Sequence, residues 1–145
     1  MSRKKQNIVI DIVNRQDRLP VESERIEIVL KQILLDAGYQ SGRMEVVLVD
    51  DPTIHELNVQ YLGHDYATDV LSFEMDRDEE AAMLEGNVIV STDTAADRAA
   101  EFKTTPTEEL FLYIVHGTLH LVGYDDHTPE DAPAMRDAEK KYTQL

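Results

Sequence analysis

One stretch constrains the fold more than any other: residues 110–127, which read LFLYIVHGTLHLVGYDDH. Its first dozen positions are apolar at almost every angle around a helix, which predicts a helix buried on most sides. Thr105, Pro106 and Glu108 supply an N-cap, a first-turn proline and the acid of a capping box, so they predict where this helix starts. Gly123 predicts its end, because glycine readily takes the left-handed conformation that turns a chain after a helix.

Two histidines lie inside this apolar run. His116 and His120 are four residues apart, so on a helix both imidazoles project from the same face. This is a metal-ligand spacing, and one divalent ion would satisfy both rings. The alternative is that both are core histidines bonded to backbone carbonyls. A buried imidazole without a partner costs roughly 1–3 kcal/mol. Because the turn that follows holds further ligand types, we favour the metal site.

The turn supplies two candidates for a third ligand. In zinc proteases with the extended H-E-x-x-H-x-x-G-x-x-H pattern, the third ligand follows the second histidine by six residues. Asp126 falls on that position, and His127 comes one residue later. The register after Gly123 favours Asp126, whereas the preference of zinc for imidazole favours His127. We expect Asp126 to bind and His127 to be the alternative or a neighbour that orients a ligand.

The same pattern has a glutamate beside the first histidine as the general base, and this chain has Gly117 there. We expect this glycine to leave room for substrate or water near the ion. Three protein ligands leave a coordination position open for water, so the predicted chemistry is metal-assisted hydrolysis.

Composition sets further bounds. The chain has 145 residues and a net charge of −15, from 29 acidic and 14 basic residues, which opposes indiscriminate attraction to nucleic acid or an anionic membrane. This length predicts one domain over residues 1–145. There is no cysteine, so a zinc site must be built from His, Asp or Glu. The apolar segment 8–13 is too short for a signal or membrane helix, and we expect a cytoplasmic protein.

The remaining pattern predicts alternating elements. They are strand 7–14, helix 21–37, strand 44–49, a short helix to about 62, strands 68–73 and 87–91, a helix from 92 to about 102, the long helix and a last helix after Thr128. This order predicts an α/β (α+β) fold with a small mixed four-stranded sheet packed by about five helices. We expect the third and fourth strands to pair antiparallel.

Several local expectations accompany these elements. Asp51 and Thr92 are predicted helix caps, and His55 is a predicted surface residue. Residues 75–86, MDRDEEAAMLEG, predict an exposed acidic loop. One side of the last helix is expected to carry Ala134, Met135, Ala138 and Tyr142.

The motifs also carry a family resemblance. HGTLHLVGYDDH resembles the H-G-x-L-H-L-x-G-Y-D-H signature of the YbeY endoribonucleases, the rRNA maturation factors of bacteria. Residues 57–73, LNVQYLGHDYATDVLSF, resemble that family's upstream segment, and EGNVIVS resembles its G-D-I-x-I-S strand. The resemblance covers most of the chain from about Leu57.

The resemblance implies a zinc-dependent, single-strand-directed endoribonuclease that acts in 16S rRNA 3′-end maturation and ribosome quality control. It implies an α/β fold with a metalloprotease-like metal helix. The expected catalytic residues are His116, His120 and Asp126, and the expected metal ligands are these three with His127. Single-stranded RNA and the ribosome or small-subunit assembly proteins are the implied partners, with no DNA and no membrane.

Three departures from the family pattern bear on activity. Asp126 occupies the third-histidine position, Leu62 stands where many members have an arginine thought to act on RNA, and Asn87 replaces the aspartate of the strand motif. Leucine cannot clamp a developing phosphorane as a guanidinium does. His64, if protonated, offers a partial substitute; otherwise it is an exposed loop residue.

These departures leave alternatives open. A ribosome-associated assembly factor with a structural metal is the alternative function, and Leu62 would then mark lost catalysis. A metalloprotease function is disfavoured because Gly117 stands where those enzymes have the glutamate that acts as general base. For TDVLSF, Ser72 either faces solvent or, by the resemblance, lies on the edge beside the metal cleft, where an extended substrate can lie.

The basic residues set the expectation for RNA. We predict weak, strongly salt-dependent binding to single-stranded RNA, provided that the fold gathers several basic residues beside the ion and turns the acidic loop away. The basic residues concerned are Arg3, Lys4, Lys5, Arg15, Arg18, Arg98 and Lys103.

Overall fold

The computed structural model describes residues 7–62 and 69–144. Its elements are β1 (Asn7–Asn14), α1 (Ser23–Asp36), β2 (Ser41–Val49), α2 (Asp51–Leu62), β3 (Val70–Asp78), β4 (Met83–Ser91), α3 (Thr92–Glu101), α4 (Pro106–Leu121) and α5 (Ala132–Thr143). The order of strands and helices is the predicted one. Thr68, the expected first residue of the third strand, lies outside the described residues.

The four strands form one mixed sheet in the order β1-β2-β4-β3. β1 pairs parallel with β2, and β2 pairs parallel with β4. β3 pairs antiparallel with β4, as expected for strands joined by a short connection. An α/β fold with a mixed four-stranded sheet and five helices is therefore confirmed, and β3 is one of its two edge strands.

The helix α4 is the central element of the fold. It packs against α1, α3, α5 and the strands β3 and β4, and ten of its sixteen residues are buried. Leu30, Met44, Ile114 and Leu119 are fully buried in the core around it. Each such side chain contributes about 1.5–3 kcal/mol by leaving water. The core thus fixes the helix that carries the histidine pair. Among the described residues, no helix has the length and apolar character needed to cross a membrane.

The segment 75–86 is a hairpin, so the expected exposed loop is wrong. β3 continues to Asp78, β4 starts at Met83, and the turn between them includes Ala82 at a φ of 52°. The outer half of β3 is exposed on both faces, so its sequence has no apolar alternation to reveal a strand. Its charged side chains suit an edge strand, because they discourage pairing with another chain.

Two helix caps differ from those expected. Asp50, not Asp51, accepts from the backbone N–H of Thr53, at 2.9 Å. Likewise Ser91, not Thr92, caps α3 by accepting from the N–H of Thr94, at 3.1 Å. The carboxylate of Asp51 instead accepts from the hydroxyls of Ser91 and Thr94. It therefore links the start of α2 to the start of α3.

The last helix buries a narrower stripe than expected. Met135, Ala138 and Tyr142 are buried, but Ala134 is exposed. Thr128 caps the turn that precedes the helix, since its Oγ1 accepts from the N–H of Asp131 at 3.2 Å.

Candidate functional site

The predicted start and end of α4 are confirmed. Thr105 accepts from the N–H of Glu108 at 3.2 Å, and Pro106 is the first helical residue. At the other end Gly123 has a φ of 109° and donates its N–H to the carbonyl of His120. The N–H of Tyr124 reaches back to the carbonyl of Leu119, at 3.0 Å. These two bonds form a Schellman motif, which turns the chain back toward the histidine face.

The two histidines face each other. The Nε2 atoms of His116 and His120 are 3.0 Å apart, and the ring planes meet at 84°. Both side chains are about a quarter exposed. The fold therefore places two imidazole nitrogens at one point on the rim of the core, as the i, i+4 spacing predicts.

The turn after Gly123 brings Asp126 to the same point. One carboxylate oxygen lies 3.7 Å from Nε2 of His116, and the other lies 3.5 Å from Nε2 of His120. One ligand atom from each of the three residues falls within 4.8 Å of the others. The structure thus brings together the three residues that the spacing singled out.

His127 occupies a different environment. Its side chain is 78% exposed, and its Nδ1 contacts the carboxylate of Asp125. This contact raises the pKa of His127 and lowers that of Asp125. The ring centroid of His127 is 6.2 Å from that of His120, and its ligand atom groups with Asp125 and Asp126 in an exposed cluster. The fold therefore favours Asp126 over His127 beside the pair.

Each histidine of the pair has a hydrogen bond at its other nitrogen. His116 Nδ1 donates to Glu139 Oε1 at 2.9 Å, and His120 Nδ1 donates to the backbone carbonyl of Tyr124 at 3.1 Å. The bond to Glu139 raises the pKa of His116 against the opposing effect of burial. Because a carboxylate and a carbonyl oxygen both accept, Nδ1 carries a hydrogen in each ring, and in a neutral ring Nε2 then carries the lone pair.

Sequence reasoning did not identify Glu139. It lies on α5, one residue after the buried Ala138 and four after Met135. A carboxylate beside a buried stripe is the signal that could have singled it out, because such a group needs a partner.

Gly117 does not leave room for substrate, and that expectation is wrong. The residue is buried, and a Cβ there would lie 2.8 Å from a methyl of Val88. The same atom would lie 2.9 Å from Ser72 Oγ and from a methyl of Val70. Gly117 therefore lets α4 approach the sheet closely. Ser72 does not face solvent either, because its hydroxyl donates to the carbonyl of Gly117 at 2.9 Å.

Asn87 lies on the opposite face of the sheet. Its neighbour Val88 faces α4, and side chains alternate along a strand. Asn87 lines a groove of about 350 Å³ with Leu57, Phe73 and Ile89, away from the histidine pair. The side chains of Leu62 and His64, the other residues singled out for RNA, lie outside what the structure describes.

The acidic hairpin contacts the C-terminal end of α4. Arg77 donates to the carbonyl of Leu121, the last residue of α4, at 2.7 Å. The same guanidinium pairs with Glu74 at 2.5 Å and with Glu79 at 3.6 Å. This cation interacts favourably with the dipole of α4 at its C-terminus, and it connects the hairpin to the end of α4 that carries His120.

The basic residues singled out for RNA binding lie in different electrostatic environments. Arg18 is paired with Asp93 at 2.9 Å and Asp97 at 3.3 Å, so its charge is compensated locally. Arg98 and Lys103 are exposed and form no ion pair with other residues in the described ranges. The basic residues 3–5 lie outside those ranges.

Fold and site together define a class: α/β proteins that present two histidines and a carboxylate from one end of a buried helix. Within that class, residues 11–145 match the family model described as Endoribonuclease YbeY. The chain belongs to the endoribonuclease YbeY family, and the resemblance drawn from its motifs is confirmed.

Individual relatives agree with this assignment. The Endoribonuclease YbeY of Rhodopirellula baltica is 39% identical over 151 residues, which cover 96% of this chain and 77% of the relative. That of Salinibacter ruber is 38% identical over 128 residues, covering 84% of this chain and 82% of the relative. The solution structure of a Thermotoga maritima protein matches with a TM-score of 0.65 at 29% identity, covering 93% and 87% of the two chains.

Proposed function

We propose that this protein is a zinc-dependent endoribonuclease whose ion is held by His116, His120 and Asp126. One observation carries the proposal: the Nε2 atoms of two histidines, each of which bears a lone pair when its ring is neutral, face each other at 3.0 Å. Two lone pairs at this distance repel unless a cation lies between them. The nearby carboxylate of Asp126 adds a negative charge at the same point, which favours a divalent ion over a single proton.

The donor set and its spacing fit zinc. Ligands in a tetrahedral zinc site with bonds of about 2.0–2.1 Å lie about 3.3 Å from one another. The two Nε2 atoms are 3.0 Å apart, and Asp126 places Oδ2 3.7 Å from one and Oδ1 3.5 Å from the other, so small side-chain shifts would close the site. Three protein ligands leave a fourth position for water or substrate, as in catalytic zinc sites.

Each residue has a separate role in the proposed site. When bound, a divalent ion supplies Lewis acidity, which polarises a phosphoryl oxygen and lowers the pKa of water. Asp126 would reduce the positive charge of the site. Glu139 holds the proton of His116 at Nδ1, so Nε2 stays free to bind. Gly117 carries no carboxylate, so the general base of the zinc proteases has no counterpart at that position.

We further propose single-stranded RNA as the substrate and 16S rRNA 3′-end maturation, with ribosome quality control, as the process. The support is the family, whose relatives are named endoribonucleases. A net charge of −15 opposes tight binding to free RNA, so we propose that tight binding requires the ribosome or small-subunit assembly proteins as partners, while free RNA is bound and cleaved weakly. This process would place the protein in the cytoplasm.

A second function is favoured by two features. By the family resemblance Leu62 stands where many members have an arginine, and Asn87 lies on the opposite face of the sheet from the histidines. A ribosome-associated assembly factor with a structural metal and reduced catalysis would tolerate both features. The two functions differ in whether cleavage depends on the ion.

The test is cleavage of an end-labelled single-stranded RNA by the purified full chain. Native protein should cleave, lose activity with a chelator and recover it with zinc. The cleavage rate of His120→Ala should be at least a hundredfold lower than that of native protein. Lys140→Ala, on the exposed side of α5, should cleave at the native rate. Folded, zinc-loaded native protein that cleaves no faster than His120→Ala would contradict the nuclease and favour the assembly factor.

A further inference from the structure

We propose that Glu139 is a positioning residue of the metal centre, and that the C-terminal helix α5 is therefore part of that centre. The inference rests on the metal site of the proposed function and extends it to a residue that contacts no substrate. The Glu139 carboxylate accepts from His116 Nδ1 at 2.9 Å, with both side chains mostly buried at 20% and 23% exposure. This is a direct contact between α5 and the metal helix.

The carboxylate is held firmly because α5 is anchored along its length. Met135, Ala138 and Tyr142 bury the helix against the core. At its end, Tyr142 donates to Asp36 at 2.6 Å. Arg25 donates to the carbonyl of Thr143 at 2.8 Å. Glu139 lies between these anchors, so its carboxylate has a fixed place from which to orient the ring.

The hydrogen bond decides which nitrogen His116 offers. An imidazole can carry its proton on either nitrogen, and a free ring can also rotate about its last torsion. The carboxylate keeps the proton at Nδ1 and aims Nε2 at the cluster, while its charge strengthens the basicity of the ring. Without the Glu139 carboxylate, some His116 rings would carry the proton on Nε2 or be rotated so that Nε2 points away from the ion.

The two histidines differ in how this orientation is supplied. His120 Nδ1 donates to the backbone carbonyl of Tyr124, which the Schellman turn fixes. His116 depends on a side chain from another helix. Ion binding and the packing of α5 are therefore linked. An ion that requires an oriented His116 stabilises the packed position of α5, and displacement of α5 lowers the affinity for the ion.

The experiment measures zinc affinity by competition with a chromophoric chelator, using the full chain. Removal of such a supporting partner costs about 10–100-fold in metal affinity. We expect Glu139→Ala to bind zinc at least tenfold more weakly than native protein. Glu139→Gln, which keeps an acceptor oxygen without the charge, should fall between the two. The matched control is Asp137→Ala, an exposed acid two residues away on α5, which should stay within twofold.

A second readout follows the geometry rather than the affinity. The visible spectrum of the cobalt-substituted protein reports ligand arrangement, and at saturating cobalt Glu139→Ala should give an altered spectrum while Asp137→Ala does not. Far-ultraviolet circular dichroism establishes that each variant is folded, and Glu139→Gln provides the comparison if Glu139→Ala does not fold.

The outcomes separate the two proposals. Zinc affinity and cobalt spectrum unchanged in Glu139→Ala and Glu139→Gln would overturn the role of Glu139 and leave the metal centre intact. Native protein that is folded and binds no zinc would overturn the metal centre, and the role of Glu139 with it.

Discussion

Asp126 Oδ1 lies 3.5 Å from His120 Nε2, although the two residues belong to different parts of the backbone, one beyond the turn and one within α4. The left-handed Gly123 makes this possible by reversing the chain directly after the helix. The side chain of His127, one residue further on, is directed into solvent and paired with Asp125. The doubled aspartate thus places a carboxylate, not an imidazole, beside the pair.

We predict that Asp126→Ala weakens zinc binding by at least tenfold, whereas His127→Ala changes it by less than threefold. The reason is that Asp126 has oxygens 3.7 and 3.5 Å from the two Nε2 atoms, whereas His127 contacts Asp125. Competition with a chromophoric chelator measures both constants. Asp126→Asn serves as the control for charge, because it keeps one acceptor oxygen. The reverse order, with His127→Ala the weaker binder, would make His127 the third ligand.

Gly117→Ala should destabilise the protein although alanine is the better helix former. Alanine gains about 1 kcal/mol in a helix interior, but overpacking costs typically 1–3 kcal/mol, and the added methyl would lie 2.8 Å from Val88. We expect a net loss of about 1 kcal/mol in urea unfolding. Lys140→Ala is the control for a substitution on an exposed helix surface and should change little. A more stable Gly117→Ala would show that the sheet yields at this contact.

Tyr142→Phe should make stability less dependent on pH in the acid range. The hydroxyl of Tyr142 is the main cause of the lowered pKa of Asp36. A carboxyl whose folded-state pKa is lowered stabilises the fold above its unfolded value, and this contribution is lost as pH falls through the folded value. Because Asp36 is 34% exposed, we expect a loss of only about 1 kcal/mol at pH 7.

Urea unfolding at pH 7 and pH 3 measures this effect. The difference between native protein and Tyr142→Phe should narrow at pH 3, and in an Asp36→Asn background it should be nearly independent of pH. If Tyr142→Phe lowered the free energy of unfolding equally at pH 7 and pH 3 in a chain that keeps Asp36, the effect would come from packing alone.

Single-stranded RNA should bind weakly and with strong salt dependence. Each phosphate contact contributes about 0.7 to the slope of log affinity against log salt. Arg98 and Lys103 form no ion pair within the described part of the chain, so replacing both with alanine should reduce the slope by about 1.4. Arg18→Ala is the matched control, because Asp93 and Asp97 already compensate its charge. An unchanged slope in the double variant would remove this surface from RNA binding.

Helix α4 could be predicted from sequence because its signals are local. The cap at Thr105, the apolar run and the terminal Gly123 each act within a few residues, and the structure reproduces all three. The i, i+4 spacing of His116 and His120 then fixed their common direction without tertiary information. The order of strands and helices followed from the same kind of periodicity.

The features that were missed depend on contacts between distant segments. Glu139 meets His116 only because α5 packs on α4, and the sequence separation of 23 residues gives no sign of it. From the sequence, Gly117 predicts open space beside the histidines, but side chains of β3 and β4 fill that space. The outer half of β3 has no apolar alternation, since an edge strand exposed on both faces needs none. Tertiary packing decided each of these.

Metal analysis of the protein purified without added ions tests the central claim most directly. By inductively coupled plasma mass spectrometry, native protein should carry about one zinc per chain, and the folded His116→Ala/His120→Ala double variant should carry almost none. A folded native protein without a transition ion, or a double variant that retains its zinc, would contradict the metal centre formed by His116, His120 and Asp126.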